Sequence, residues 1–174
     1  MNTWYVVTGG PSTGKTTLLA ELAQRGYQTT DEVARVYIDE ARESGITVYD
    51  LRRDEQQFQE EVARRKAAFE ATLSSGKTIF FDRGMQDTLA YMRYYQYPLE
   101  DWVIDLCRQA SYRTVFLLEQ LDTYTSDTAR IEDESFSKSI EQLLFDAYVE
   151  YGMTPVRVPN LGVAERADFV LAHL

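Results

Sequence analysis

Residues Trp4–Leu18 read WYVVTGGPSTGKTTL: a short apolar run, a loop of glycines and hydroxyls, then a lysine and two threonines that open a helical pattern. Gly9, Gly14, Lys15 and Thr16 fall on G-x-x-x-x-G-K-[ST], the Walker A spacing. A triphosphate needs several backbone N–H groups turned inward, and glycine reaches the required backbone angles without strain. The helix that follows adds its unpaired N-terminal amides and the positive end of its dipole. The expected nucleotide-binding residues are therefore Gly9, Gly10, Pro11, Ser12, Thr13, Gly14, Lys15, Thr16 and Thr17. Lys15 is expected to neutralise the β- and γ-phosphates, the Thr16 hydroxyl to ligate Mg²⁺, and Pro11 to stiffen the loop.

The surroundings support a phosphate-binding loop over a plain strand-to-helix turn. WYVVT reads as a buried strand, and KTTLLAELAQRG reads as a helix that turns Leu18, Leu19 and Leu22 inward and stops at Gly26. Further strands are expected at Tyr27–Thr30, Thr78–Phe81, Thr114–Leu118 and Thr154–Val158. Helical patterns lie between and after them at Lys15–Arg25, Glu32–Glu43, Asp54–Leu73, Gln86–Tyr95, Leu99–Ala110, Phe136–Tyr151 and Val163–Ala172. Strands alternating with helices predict an α/β fold: a five-stranded parallel sheet in a three-layer α/β/α arrangement of the P-loop NTPase type. In such sheets ligands collect at the carboxyl ends of the strands. The residues that follow each strand are therefore the ones to inspect.

Composition narrows the function classes. A chain of 174 residues is expected to form a single ATP-binding domain. With 18 basic and 28 acidic residues the net charge is −10, which argues against a long nucleic-acid partner. No apolar run is long enough to span a bilayer, so no membrane insertion is expected. The single Cys107 forms no internal disulfide and reads as a small buried hydrophobe, in keeping with a reducing cytoplasm.

After the second strand, TTDEVARVYIDEAR places Asp31 and Glu32 at a helix start, with Arg35 on the face of Glu32. Acidic residues there favour the positive dipole end. Either one can instead aim into the cleft and orient an acceptor hydroxyl or water. The third strand closes on Asp82 in KTIFFDRGMQD, as a Walker B carboxylate on the metal side does, with Arg83 beside it placed to clamp a phosphate. MQDTLAYMRYYQYP then sets Asp87 and Tyr91 on neighbouring turns, with Tyr94 and Tyr95 nearby. This is either tyrosine-rich packing or an acceptor pocket in which aromatics stack a ring and Asp87 takes a hydroxyl. From Gln120 to Asp133 apolar periodicity stops, and Arg130 is the one basic residue. A polar loop of that length reads as a solvated ion-pair segment or as a lid that brings Arg130 to the transferring phosphoryl group. Pro159 and Asn160, after the last strand, are expected to border the nucleotide base, and His173 is incidental.

Taken in order, TGGPSTGKTTL, DEVAR, FFDRGMQDTLAY, DTARIEDE and VRVPNLGVAERADFVL resemble the AAA-type P-loop ATPase/kinase family related to the ribosylnicotinamide kinase domain of the bacterial regulator NadR. The resemblance implies a nucleoside- and nucleotide-kinase-like fold, Mg²⁺-ATP binding and phosphoryl transfer to a small-molecule acceptor that the motifs do not name. It assigns Gly9–Thr17 to the phosphate loop, Asp82 to the metal side, Glu32 and Arg35 to the acceptor side and Arg130 to the lid. In 174 residues the adenylyltransferase domain that NadR joins to its kinase is not expected. A small-molecule kinase is the leading expectation. The alternative is an NTPase or nucleotide-dependent switch whose change of shape is read by a protein partner. A GTP-binding module ranks last, because no Asn-Lys-x-Asp tetrapeptide occurs.

Overall fold

The first strand, β1 (Trp4–Thr8), is buried along its whole length and hydrogen-bonds to a parallel strand on each side. The structure is a computed structural model and describes residues 3–74, 76–120 and 134–174. Four more strands complete the sheet: β2 (Gln28–Thr29), β3 (Ile79–Asp82), β4 (Thr114–Leu118) and β5 (Val156–Val158). Their order is β2-β3-β1-β4-β5, and every pairing is parallel. The expected α/β architecture is the one observed.

Side chains alternate across a strand, so β1 faces two cores at once. Tyr5 and Val7 pack with Leu18 and Leu22 of α1 (Lys15–Gln24) and with Ala167 and Val170 of α8 (Val163–Leu171). Trp4 and Val6 point the other way, toward Phe81, Val115, Tyr112 and Tyr148. That second layer holds α4 (Glu55–Thr72), α5 (Met85–Tyr94), α6 (Asp101–Gln109) and α7 (Glu134–Glu150). In α7, Phe136, Ile140, Leu144 and Ala147 form a buried face against Met85, Leu89 and Ala90 of α5. Here the helical period is followed closely.

α2 (Val33–Glu43) and the single turn α3 (Val48–Leu51) lie outside β2 and pack on α4 through Ile38, Phe58 and Val62. α3 was not expected: four residues are too short for apolar periodicity to register. β2 is also shorter than expected, but Thr30 extends its edge by donating N–H to Phe80 O at 3.0 Å. β3 ends one residue later than expected, so Asp82 is its last residue and lies opposite Val7. That register brings the ends of β1 and β3 side by side. No helix among the described residues is long and apolar enough to cross a membrane.

Candidate active site

The loop from Gly9 to Gly14 leaves β1 in a conformation that two glycines make accessible. Gly9 has φ 146°, and a Cβ there would stand 2.9 Å from both Leu118 O and Thr13 Oγ1. Gly14, with φ 84°, is the left-handed residue immediately before α1. α1 begins with no side-chain cap and no acidic residue in its first turn, so its dipole end and first amides are left to an anion. Lys15 is folded back over the loop, its Nζ donating to Gly10 O at 2.7 Å and Gly9 O at 3.0 Å. The ammonium is thereby already held at the concave side of the loop. Thr16 and Thr17 are exposed on the first turn.

Beside this loop Asp82 ends β3 almost fully buried, and its Oδ1 has no hydrogen-bond partner among the described residues. Burial, and next the nearby Glu32, push its pKa up to about 6 against the opposing pull of Lys15 and Arg83. A desolvated carboxylate oxygen without a donor is the group a hard cation would satisfy, and the exposed Thr16 hydroxyl is of the same oxygen type. Among the described residues no cluster of three or more His, Cys, Asp or Glu forms a metal cage. A cation here would therefore need further oxygens from the nucleotide.

Arg83 follows at φ 66°, a left-handed position for a residue with a large side chain. Its buried guanidinium donates from Nε to Glu32 Oε1 at 2.7 Å, and from Nη1 to Gly9 O and Asp87 Oδ1 at 3.2 Å each. It also lies over the Tyr91 ring, 5.3 Å from the centroid. Burial opposes its charge, but Tyr91, Glu32, Asp87 and Asp82 outweigh burial and hold its pKa well above the ordinary value. One side chain thus ties the phosphate loop to a pocket lined by Glu32, Arg35, Tyr91, Phe58, Gln59 and Lys66, among others.

A family model described as an AAA domain matches residues 4–166. The chain belongs to the AAA-domain family. Comparison with curated proteins gave no match. Among solved structures, deoxyadenosine kinase from M. mycoides with bound dCTP superposes with a TM-score of 0.68 and 16% identity, over 98% of this chain and 97% of that one. NadR protein in complex with NAD and AMP-PNP gives a TM-score of 0.70 and 18% identity. That match covers 99% of this chain but 49% of the NadR chain, so this chain spans about half its length. Thymidylate kinase from Ehrlichia chaffeensis gives 0.67 and 13%, over 98% of this chain and 97% of that one. The AAA domain therefore has the fold of nucleoside- and nucleotide-kinase P-loop proteins.

Within this AAA domain the residues singled out in the sequence have different fates. Glu32, Arg35, Arg83, Asp87, Tyr91 and Pro11 converge on the one pocket. Glu32 is the residue before α2, yet its carboxylate reaches Arg83 and does not cap the helix. Asp31 is exposed and is not among the residues that line the pocket. Tyr94 packs on Phe136 at 4.4 Å and edge-on against Tyr95, which is the packing alternative for those two rings. Arg130 and the rest of the expected lid after Gln120 lie outside the described residues.

Asp87 requires a correction. Its Oδ1 accepts from Thr8 Oγ1 at 2.6 Å and from Arg83, and its Oδ2 accepts from Gly84 N–H at 3.1 Å and from the Tyr148 hydroxyl. Both oxygens are thus occupied, so the carboxylate has no vacant lone pair for a substrate hydroxyl and instead holds Arg83 in place. Pro159 and Asn160 are held by Arg166, whose Nε donates to Pro159 O at 3.1 Å and Nη2 to Asn160 Oδ1 at 3.4 Å.

Three residues went unnoticed in the sequence. Arg166 of α8 is buried and donates to Thr13 O at 2.7 Å, so it braces the phosphate loop from the helix that packs beside α1. Burial pushes its pKa down, opposed by Glu119. Gln59 and Lys66 of α4 are both nearly fully buried in the pocket. A signal was available for these two: with Val62 they share one helical face, polar positions within an otherwise apolar stripe.

Proposed function

We propose that this AAA domain is a kinase that transfers the γ-phosphoryl group of Mg²⁺-ATP to a hydroxyl of a small molecule seated in the Glu32–Tyr91 pocket. The observation that carries the reading is the chain Gly9–Arg83–Glu32. A carboxylate in an acceptor-sized pocket is linked through one guanidinium to the loop that would hold the triphosphate. A nucleotide-binding switch has no need of a second, partly apolar pocket wired to its phosphate loop. The fold neighbours named for kinase activity on deoxyadenosine and thymidylate lend support.

In this reading the loop amides and Lys15 hold the β- and γ-phosphates, and Arg166 keeps the loop in shape. Glu32 accepts the hydrogen of the acceptor hydroxyl as its oxygen bonds to the γ-phosphorus. The bond from that phosphorus to the β–γ bridging oxygen breaks, and ADP leaves with the electron pair. Arg83 orients Glu32 and, being always charged, offsets negative charge that builds up nearby. Asp82 and Thr16 would hold Mg²⁺, which supplies charge neutralisation at the phosphate oxygens.

The test is ADP release with Mg²⁺-ATP, with and without a panel of nucleosides and vitamins. Acceptor-dependent release is expected. Glu32→Gln, which keeps the Arg83 contact in neutral form, should lower kcat by about 10²–10⁴ with the KM for ATP little changed. Release that no acceptor stimulates would replace the kinase reading with that of an NTPase switch.

A further inference from the structure

Lys66 lines the pocket, and the phosphoryl transfer leaves its chemistry unused. It is 4% exposed, and its Nζ donates to Gly84 O at 2.7 Å. Among the described residues that carbonyl is its single hydrogen-bond partner, and no carboxylate forms an ion pair with it. An ammonium has three N–H donors and no acceptor capacity. Two donors of a buried cation are thus left to whatever fills the pocket, and an unmet buried donor is costly. Burial pushes its pKa down, opposed by the nearby Asp87 and Glu70.

The neighbours of Lys66 describe what it would meet. Phe58 and Gln59 precede it by two turns of α4, and Val62 by one, so amide, methyls and ammonium form a stripe along one pocket wall. Gln59 spends Nε2 on Glu55 at 2.9 Å, and its carbonyl has no partner among the described residues. The Phe58 and Tyr91 rings line the same space. Aromatic faces, an amide and a donor-only cation suit a planar heterocycle with polar edges.

Resting on the kinase reading of the same pocket, we propose that Lys66 is a specificity residue that selects acceptors whose ring carries an exocyclic oxo group over the same ring carrying an amino group. An oxo oxygen accepts from Lys66. An amino group in the same place sets donor against donor and leaves the ammonium unsatisfied. Sites built to hydrogen-bond one group reject the analogue that lacks it far more strongly than an apolar pocket rejects a missing methylene.

Two nucleoside pairs carry this exchange, with the adjoining ring nitrogen turning from N–H donor to acceptor along with it: inosine against adenosine, and uridine against cytidine. In the full chain with Mg²⁺-ATP, the oxo member of at least one pair should have a kcat/KM roughly tenfold or more above its amino partner. Lys66→Met should bring that ratio within about threefold of unity, a residual difference under ~0.7 kcal/mol. Lys66 also supports Gly84 O, and loss of that support slows both members of a pair alike, so the ratio isolates recognition from structure. Lys66→Gln, which keeps a donor and adds an acceptor, should relax the ratio as well and serves if the methionine variant does not fold. A wild type without oxo preference, or a preference that survives both substitutions, overturns the assignment. If no nucleoside stimulates ADP release, Lys66 is judged on binding alone, and the kinase reading falls separately only if no acceptor of the wider panel stimulates release either. Calorimetric titration of the same four nucleosides then decides for Lys66: oxo-selective binding lost in Lys66→Met upholds it, and no such selectivity overturns it.

Discussion

Replacing Asp82 by Asn should stabilise the nucleotide-free protein while impairing its use of Mg²⁺. The carboxyl is 5% exposed, one oxygen lacks a donor among the described residues, and its pKa stands at about 6 against the ordinary 3.8. Each tenfold rise in proton affinity corresponds to about 1.4 kcal/mol, so ionised Asp82 costs the folded state about 3 kcal/mol. The folded protein binds this proton more tightly than the unfolded chain does. The contribution is therefore most favourable below about pH 4, declines as the pH rises through about 6, and is flat above. Asn carries no charge at any of these pH values. Its amide still has to be desolvated at every pH, so a net gain of roughly 1–2 kcal/mol at pH 7.5 is expected, falling by about 2–3 kcal/mol and so vanishing or reversing near pH 4. Urea unfolding of both proteins at pH 4.5, 6 and 7.5 measures this directly. Mg²⁺-ATP should raise the midpoint of the wild type more than that of Asp82→Asn, because the charge that holds the cation is gone. An asparagine variant no more stable than wild type at pH 7.5, or a difference that ignores pH, would refute the reasoning.

Two further outcomes bear on the supports of the site. Gly84→Ala places a Cβ 2.5 Å from the Tyr148 hydroxyl oxygen and 2.8 Å from Tyr112 Cε2, so it should cost about 1–3 kcal/mol by thermal or urea unfolding and displace Arg83. Unchanged stability would mean the turn is looser than its packing indicates. Arg166→Met keeps much of the apolar stem but removes the donor to Thr13 O. It should raise the KM for ATP by about tenfold, a loss of ~1.4 kcal/mol, with the KM for the acceptor unmoved, and Arg166→Lys should restore part of it. Equal changes in both KM values would make Arg166 a general stability residue.

The parts legible in the sequence were those whose determinants lie close together in the chain. The phosphate loop is one contiguous stretch, and its glycines and Lys15 serve it through contacts a few residues away. The two-residue alternation of β1 and the apolar face of α7 follow from backbone periodicity, so strand and helix type could be assigned without knowing any partner. The position of Asp82 at a strand end was visible for the same reason. Tertiary structure decided what depends on distant residues meeting. The order β2-β3-β1-β4-β5 is a matter of which strands pair, and no local pattern encodes it. Asp87 reads as a pocket carboxylate until Thr8 and Tyr148, 79 and 61 positions away, take its lone pairs. Arg166 is an ordinary helix residue until it reaches Thr13, 153 positions earlier. Gln59 and Lys66 stand out only as polar positions on an apolar helical face until the fold closes a pocket around them. A side chain's type is written in the chain, but whether its hydrogen-bonding capacity is spent on protein or left for a ligand depends on what the fold brings within 3 Å of it.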